Sequence, residues 1–443
     1  MVTATSGAID ALAEFAVTAT AKDRQARLAL HLADAVMARL AGAATSEGRA
    51  LYRFYDRMDA GRLGRVAADS AVTRLTEIDD IHRPTCVTVS ALTAPVALVL
   101  CDQGCSRDRL LDSLFVGQET ALRVASALGG ARLLTRGLWP SFLVAPIGAA
   151  ATMGRLLGLP FAHMRQALAL AVAQVPRVPG RFASTRPARW MLFGEAVRQG
   201  CVAALGAADG MQGDPGLLDA AWLHAVGGDL ADASRLDAVE VLSDALSIKP
   251  HASAKQALAA IHGLQQLLAD KLVSPEHIEA IELHVPTAYA PMLDREPPRS
   301  SRLASLVSAP WQLALAALHP HLLDDVARES WPTDPRLADF AGRVRVLADS
   351  ALDALYPAAY PARLVIHAAG DRHEILVTES PGDPALPFDA PQMIDKARRM
   401  LKDATGLTTV QMALRLPADG SAMCVLLAEL RGGARGAAAA PAP

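Results

Sequence analysis

The segment Glu77-Ile78-Asp79-Asp80-Ile81-His82 places three carboxylates and an imidazole directly before the uncharged stretch Pro84–Cys101. Carboxylates at a core boundary are costly unless they are paired or used. One use is general acid–base chemistry, with His82 tuned by Asp79 or Asp80. A second is divalent-metal binding through hard oxygen ligands and an imidazole. The plain alternative is a capped helix start with a solvated charge run. A cationic group lies further on, at Arg177, Arg181, Arg186 and Arg189. Guanidinium forks bind carboxylates bidentately, so this group predicts an anion site, against the alternative of an exposed basic loop. Lys249, His251 and Lys255 form a third polar group at a predicted domain junction, where ligand sites are favoured.

Other chemistries find little support. There is no Gly-x-Ser-x-Gly elbow, no Gly-x-Gly-x-x-Gly after a strand and no phosphate-loop signature. The net charge of −3 supplies no basic field for nucleic acid and no polybasic membrane patch. Five cysteines in 443 residues do not read as a disulfide framework. Cys101 and Cys105 have no second pair to complete a metal site. A magnesium-dependent prenyl or terpene cyclase would use Asp79 and Asp80, with Asp324-Asp325 as a weak second motif. Such pockets are rich in aromatics, which make up 4% of this chain. Met1–Thr20 contains Asp10 and Glu14 and no basic start, so a secretory signal is not expected and the expected location is cytoplasmic.

The elements that must hold these residues are mostly helical. Hydrophobic residues make up 51% of the chain, mainly Ala, Leu and Val, which favours closely packed helices. Periodicity predicts helices over Ile9–Leu40, Arg107–Leu128, Gly137 to about Leu156, His163–Gln174 and Arg189–Met211. Gly194 and Gly200 in the last of these predict close helix contact. The uncharged stretches Pro84–Cys101 and Gly137–Gly154 read as buried core helices rather than membrane spans. After Ser247–Pro250 the pattern changes. One helix (Ala254–Asp270) precedes strands at Ile278–Val285, Arg343–Leu347, Leu364–Ala368 and Glu374–Thr378. Helical periodicity returns over Pro391–Thr405. The predicted division is residues 1–245 helical, 246–390 a smaller α+β lid, 391–430 helical again, and a disordered Gly-, Ala- and Pro-rich tail over 431–443.

These segments resemble the MmgE/PrpD family, which includes 2-methylcitrate dehydratase, cis-aconitate decarboxylase and an iminodisuccinate epimerase. His31–Gly42 (HLADAVMARLAG) is similar to the family's early helix ending in Leu-Ala-Gly, and Glu77–His82 (EIDDIH) to its Asp-Phe-Asp-Asp-Thr-His region. Gly137–Met153 is similar to its Gly-x-His/Trp-Pro-Thr stretch, and Leu156–Pro160 to its Leu-Leu-Gly-Leu. Arg189–Gly210 is similar to its Gly-x-Ala-x-x-Gly helix, and Ser247–Ala260 to its Phe-Lys-Pro segment. The resemblance covers nearly the whole chain.

It implies a mainly α fold: a large helical domain built from both chain ends and a smaller α+β lid. It also implies a homodimer, a site between the domains, no metal, no cofactor and small carboxylate substrates, with no nucleic-acid or membrane partner. Departures matter too. The family's first site Asp is Glu77 here, and its next acidic positions are Asp79 and Asp80. The Thr that follows is Ile81, and a later site His falls near Val87. The His of the Gly-x-His-Pro stretch is Trp139, the Lys before the glycine helix is Arg189, and another site His falls at about Ala254. The Lys of Lys-Pro is kept as Lys249. The expected function is a lyase or isomerase that abstracts a proton α to a carboxylate. Glu77, Asp79, Asp80 and His82 are the expected catalytic groups, and Trp139, Arg189, Lys249 and His251 the expected substrate-binding ones. A catalytically inert binding or scaffold protein of this fold is the alternative.

Overall fold

The computed structural model describes residues 7–102, 104–176, 188–295 and 302–438. Arg177, Arg181 and Arg186 of the cationic group lie outside the described residues. The chain is mainly α with small sheets. Two buried apolar clusters organise it. One draws on Ile9 through Ala252 and again on Phe388 through Leu430, so both ends of the chain build it. The other is formed by residues between Ala257 and Val377.

In the first cluster the helix Pro140–Leu157 packs between Arg107–Ala127 and Ala188–Ala208. It is long and apolar enough to cross a membrane, yet nearly all of it is buried among its neighbours. It begins with Pro140 in the first turn and ends at Gly158, whose φ of 72° closes the helix in the left-handed region. Gly194 and Gly200 meet their expectation. A Cβ on Gly194 would lie 2.2 Å from the Ala67 carbonyl oxygen, and one on Gly200 2.2 Å from that of Pro146. Helix Ala188–Ala208 therefore touches the backbones of Arg62–Arg74 and Pro140–Leu157 directly.

One helix expected over Ile9–Leu40 is two, Ala8–Thr18 and Gln25–Ala43, divided by a 3₁₀ turn at Lys22–Arg24. The division is held from outside the segment: Asp112 Oδ1 accepts the Ala21 N–H at 2.8 Å.

The second cluster is a four-stranded sheet with helices against it. Strand order is Val344–Ala348, Ile278–Val285, Ala362–Ala368, Asp371–Val377, the first pair parallel and the others antiparallel. Helix Lys255–Ala269 lies against the last two strands. Helices Ala390–Met400 and Ala404–Arg415 then return to the first cluster. The last helix, Ser421–Ala438, continues past Arg431 into the tail expected to be disordered, and residues 439–443 of that tail lie outside the described residues. Its composition explains the difference, since alanine is the strongest helix former and offsets the glycines there.

Candidate active site

Helix Arg62–Arg74 ends at the acidic segment. Glu77 has φ 59°, a left-handed conformation that is unusual for a residue with a side chain, and it stops any continuation of the helix. The next two-residue strand, Ile81–His82, pairs antiparallel with Leu246–Ser247. That pairing draws the domain-linking segment alongside. Lys249 Nζ consequently donates to the Glu77 carbonyl at 3.0 Å and to Glu77 Oε2 at 3.2 Å.

Glu77 is the hub. Arg74 Nη2 meets Oε1 at 3.1 Å and Arg189 Nη2 meets the same oxygen at 3.2 Å. Burial alone would raise its pKa. Arg74, Lys249 and Arg189 together outweigh burial and hold the carboxyl well below the usual carboxylate range. Asp79 behaves oppositely. It is fully buried, and burial pushes its carboxyl up to about 6, with Glu77 and Asp80 adding repulsion against Arg74 and Lys249. Arg74 Nη1 donates to Asp79 Oδ1 at 2.7 Å, so one guanidinium bridges both carboxylates.

A cavity of about 70 Å³ opens beside this hub. Glu77, Trp139, Arg189 and Lys249 line it, so four of the eight expected site residues converge. Arg74, Cys86, Ser141 and Lys255 line it as well. Arg189 lies over two indoles, its guanidinium carbon 4.4 Å from the Trp139 ring centre and 3.8 Å from that of Trp190. Burial lowers the Arg189 pKa to about 10, helped by Arg74 and Arg295 and opposed by Glu77, which leaves it charged at neutral pH.

The other four expected residues are not among those lining the cavity. Asp79 stands one guanidinium behind it. Asp80 turns into the helical core, where His31 Nδ1 lies 2.9 Å from Oδ2 and the Ser90 hydroxyl donates to the same oxygen at 2.5 Å. His82 is buried with Nδ1 2.7 Å from the Thr85 hydroxyl. Burial lowers its pKa to about 3, opposed by the Leu242 backbone and helped by Arg83, so the ring is neutral at pH 7. His251 pairs with Asp324 at 2.7 Å, whose other oxygen takes Arg399 at 2.8 Å. That trio ties the linking segment to helix Ala390–Met400. Asp79 and Asp80 thus face different partners. Among the described residues no group of three His, Cys, Asp or Glu side chains is arranged to hold a metal ion.

Composition and spacing did not single out Arg74, Cys86 or Ser141. Cys86 sits at φ 57°, held where its N–H donates to the His82 carbonyl at 2.7 Å. Burial pushes its thiol up to about 11, against a Tyr360 hydrogen bond and the nearby Lys249. Two left-handed non-glycine residues on the wall of one small cavity fit the tendency of backbone strain to collect at functional sites. No sequence signal marks that strain; Arg74 was visible only as one charge among several before the acidic run.

The MmgE/PrpD N-terminal domain matches residues 10–227, and the MmgE/PrpD C-terminal domain matches residues 251–417. The chain belongs to the MmgE/PrpD family. This is a dehydratase- and lyase-like family, and the mainly α fold with a smaller α+β region agrees with membership. A comparison with curated proteins found no match. The family's C-terminal match runs through helices Ala390–Met400 and Ala404–Arg415, which pack in the first apolar cluster. In this MmgE/PrpD chain the cavity lies between the acidic segment of the N-terminal match and Lys249, two residues before the C-terminal one.

Proposed function

We propose that this MmgE/PrpD protein is a lyase or isomerase that removes a proton α to the carboxylate of a small acid. The observation that carries the reading is the cavity itself: among the described residues Arg74, Arg189, Lys249 and Lys255 line it together with one carboxylate, Glu77. An anionic ligand is favoured there by charge and by the forked geometry of the guanidinium groups. Arg189 and Lys249 take the substrate carboxylate, and Lys249 also stabilises the enolate charge that develops as the proton leaves. Glu77 is the acidic-segment carboxylate that reaches the cavity, so it accepts the proton. At rest its three cations make it a weak base. A substrate carboxylate competes for two of those cations, so binding itself raises the basicity of Glu77. The neutral Cys86 thiol on the same wall is a second proton carrier. The family resemblance supports action as a cytoplasmic homodimer without a metal or cofactor.

The test is exchange of substrate α-protons, followed by NMR in D₂O across a panel of small carboxylic acids. Wild type is expected to exchange at least one of them. Glu77→Gln should slow that exchange about 10²–10⁴-fold, the usual contribution of a positioned base. Binding without exchange for every acid in the panel would favour the second reading, a catalytically inert carboxylate binder. One observation favours that alternative: among the described residues no histidine lines the cavity.

A further inference from the structure

We infer that Lys255 is the proton donor of the reaction, a second catalytic group that complements Glu77 from the other apolar cluster. This rests on the proton-abstraction reading above and adds to it the group that gives a proton back to the substrate.

Three observations carry it. The first is where the groups come from. Glu77 follows helix Arg62–Arg74 of the first cluster, whereas Lys255 opens helix Lys255–Ala269, which packs in the second. Both line the same cavity. The second is how Lys255 is held. Its side chain is buried, with 3% exposed. Its Nζ lies 2.6 Å from Asp383 Oδ1 and donates to the Ser380 hydroxyl at 2.8 Å. Asp383 is fixed in turn, its Oδ2 accepting the Ser380 N–H at 2.8 Å and the Ser380 hydroxyl at 3.0 Å. An ammonium carries three N–H donors. Among the described residues Ser380 and Asp383 are its polar partners, so one N–H is left for a molecule in the cavity. The third is chemistry. Burial lowers the Lys255 pKa against the pull of Asp383, which makes its ammonium a readier acid than a lysine in water. The other cations on the cavity wall suit the role less well. Arg74 and Arg189 are guanidinium groups, which do not give up a proton near neutral pH. Lys249 is committed to Glu77 itself.

In the step, the α C–H bond breaks and its proton goes to Glu77. An N–H bond of Lys255 breaks and its proton goes to the substrate, to the α carbon in an isomerisation or to the departing β oxygen in an elimination. Glu77 is left as a carboxylic acid and Lys255 as a neutral amine. Proton exchange with solvent restores both, with no change in oxidation state.

The experiment follows both enantiomers of malate, within the acid panel above, in D₂O with the purified full chain. NMR reads α-proton exchange and alkene formation, and chiral chromatography reads inversion. Wild type is expected to exchange an α-proton and to form net product from the same acid. Lys255→Arg keeps the cation but removes the donor, and should lower the ratio of net product to exchange by about 10²–10⁴-fold, the usual contribution of a positioned acid. Lys255→Gln with Asp383→Asn leaves no buried ion unpaired and should do the same, so it decides the point should the arginine variant not fold. A folded variant in which exchange and product fall together, or both persist, would overturn the donor role and leave Lys255 as a structural or merely charged group. Exchange without net product in wild type would also overturn it while leaving Glu77 in place. Absence of exchange for every acid would overturn the proton-abstraction reading and this inference with it.

Discussion

Arg189 and His82 show how a residue's surroundings decide what it can do. Arg189 is a planar cation with indoles on its faces and Glu77 at its edge. Removing it with Arg189→Ala should weaken a bound carboxylate by about 1.5–3 kcal/mol, the usual worth of a charged hydrogen bond. Arg189→Lys should recover only part of that, because an ammonium lacks the planar face that stacks between the indoles and the fork that binds a carboxylate. Titration calorimetry reads both, and full recovery by lysine would show that charge alone matters at this position. His82 was expected to work beside the acidic trio, because Asp79 precedes it by three residues, one turn of a helix. Glu77 in the left-handed region ends the helix, so the spacing does not place the two on one face. The ring instead packs against Thr85, neutral. Its folded-state pKa lies below the ordinary value of about 6.5, so the unfolded chain binds the proton more readily. The stability this contributes is present above about pH 6.5 and is lost as pH falls toward about 3. Asp79 acts in the opposite sense, its raised pKa contributing stability that is lost as pH rises through about 6. His82→Gln should therefore flatten the acid side of the stability profile, measured by urea unfolding at pH 7.5 and 5, and leave carboxylate affinity within about twofold. A folded variant with turnover reduced by about 10²-fold would instead place His82 in the chemistry.

At the scale of elements, the cavity depends on how the linking segment is held. Ile81–His82 pairs with Leu246–Ser247 on one side, and the Ile248 N–H donates to the Gly382 carbonyl at 2.9 Å on the other. Gly382 has φ 89°, and a Cβ there would lie 1.9 Å from the Ile248 carbonyl oxygen. Both the conformation and the contact exclude any other residue without movement of the segment that carries Lys249. Gly382→Ala should lower stability by about 1–3 kcal/mol, the range for strain of this kind, and should weaken carboxylate binding as well. Calorimetric melting and titration separate the two effects. A lowered Tm with unchanged affinity would mean that Lys249 is placed independently of this contact. Most of the elements were legible in the sequence. Strand Ile278–Val285 was bounded correctly because its Ile-rich alternation is a strong signal. Helix Ala309–Leu318 was not read, because a short buried apolar run has no distinguishing period. Arg189 and Lys249 stood out in the sequence as members of cationic and polar groups, and Trp139 through the family-like segments. Their meeting at Glu77 depends on the Ile81–His82 pairing, two residues long and separated from its partner by most of the helical region, which no local pattern could reveal.

Across the whole molecule, the two chain ends meet behind the acidic segment, and one buried ion pair fastens them. Lys396, on helix Ala390–Met400, is fully buried, and its Nζ lies 2.5 Å from Asp34 Oδ1 on helix Gln25–Ala43. The same Nζ donates to the Ile78 carbonyl at 2.9 Å, so the return of the chain also props the segment that carries Glu77. Burial raises the Asp34 pKa, opposed chiefly by Lys396 and helped by Asp80. Lys396→Met would leave Asp34 without its cation in the apolar core. Breaking a buried pair in this way costs about 3–5 kcal/mol. The loss should vary with pH. Without Lys396 the Asp34 carboxyl takes up a proton at low pH and avoids burying a bare charge, so the destabilisation is smallest in acid and grows as pH rises. Asp34→Asn in the Lys396→Met background removes that charge and should restore much of the stability at neutral pH, because no ion is then left unpaired. Urea unfolding of the two single variants and the double variant at pH 5 and 8 forms the cycle. A Lys396→Met loss that is equal at both pH values, and equal with or without Asp34, would show that the lysine acts by packing and through Ile78 rather than through Asp34. In that case the two chain ends would be joined by their shared apolar cluster and the Lys396–Ile78 hydrogen bond, not by the ion pair.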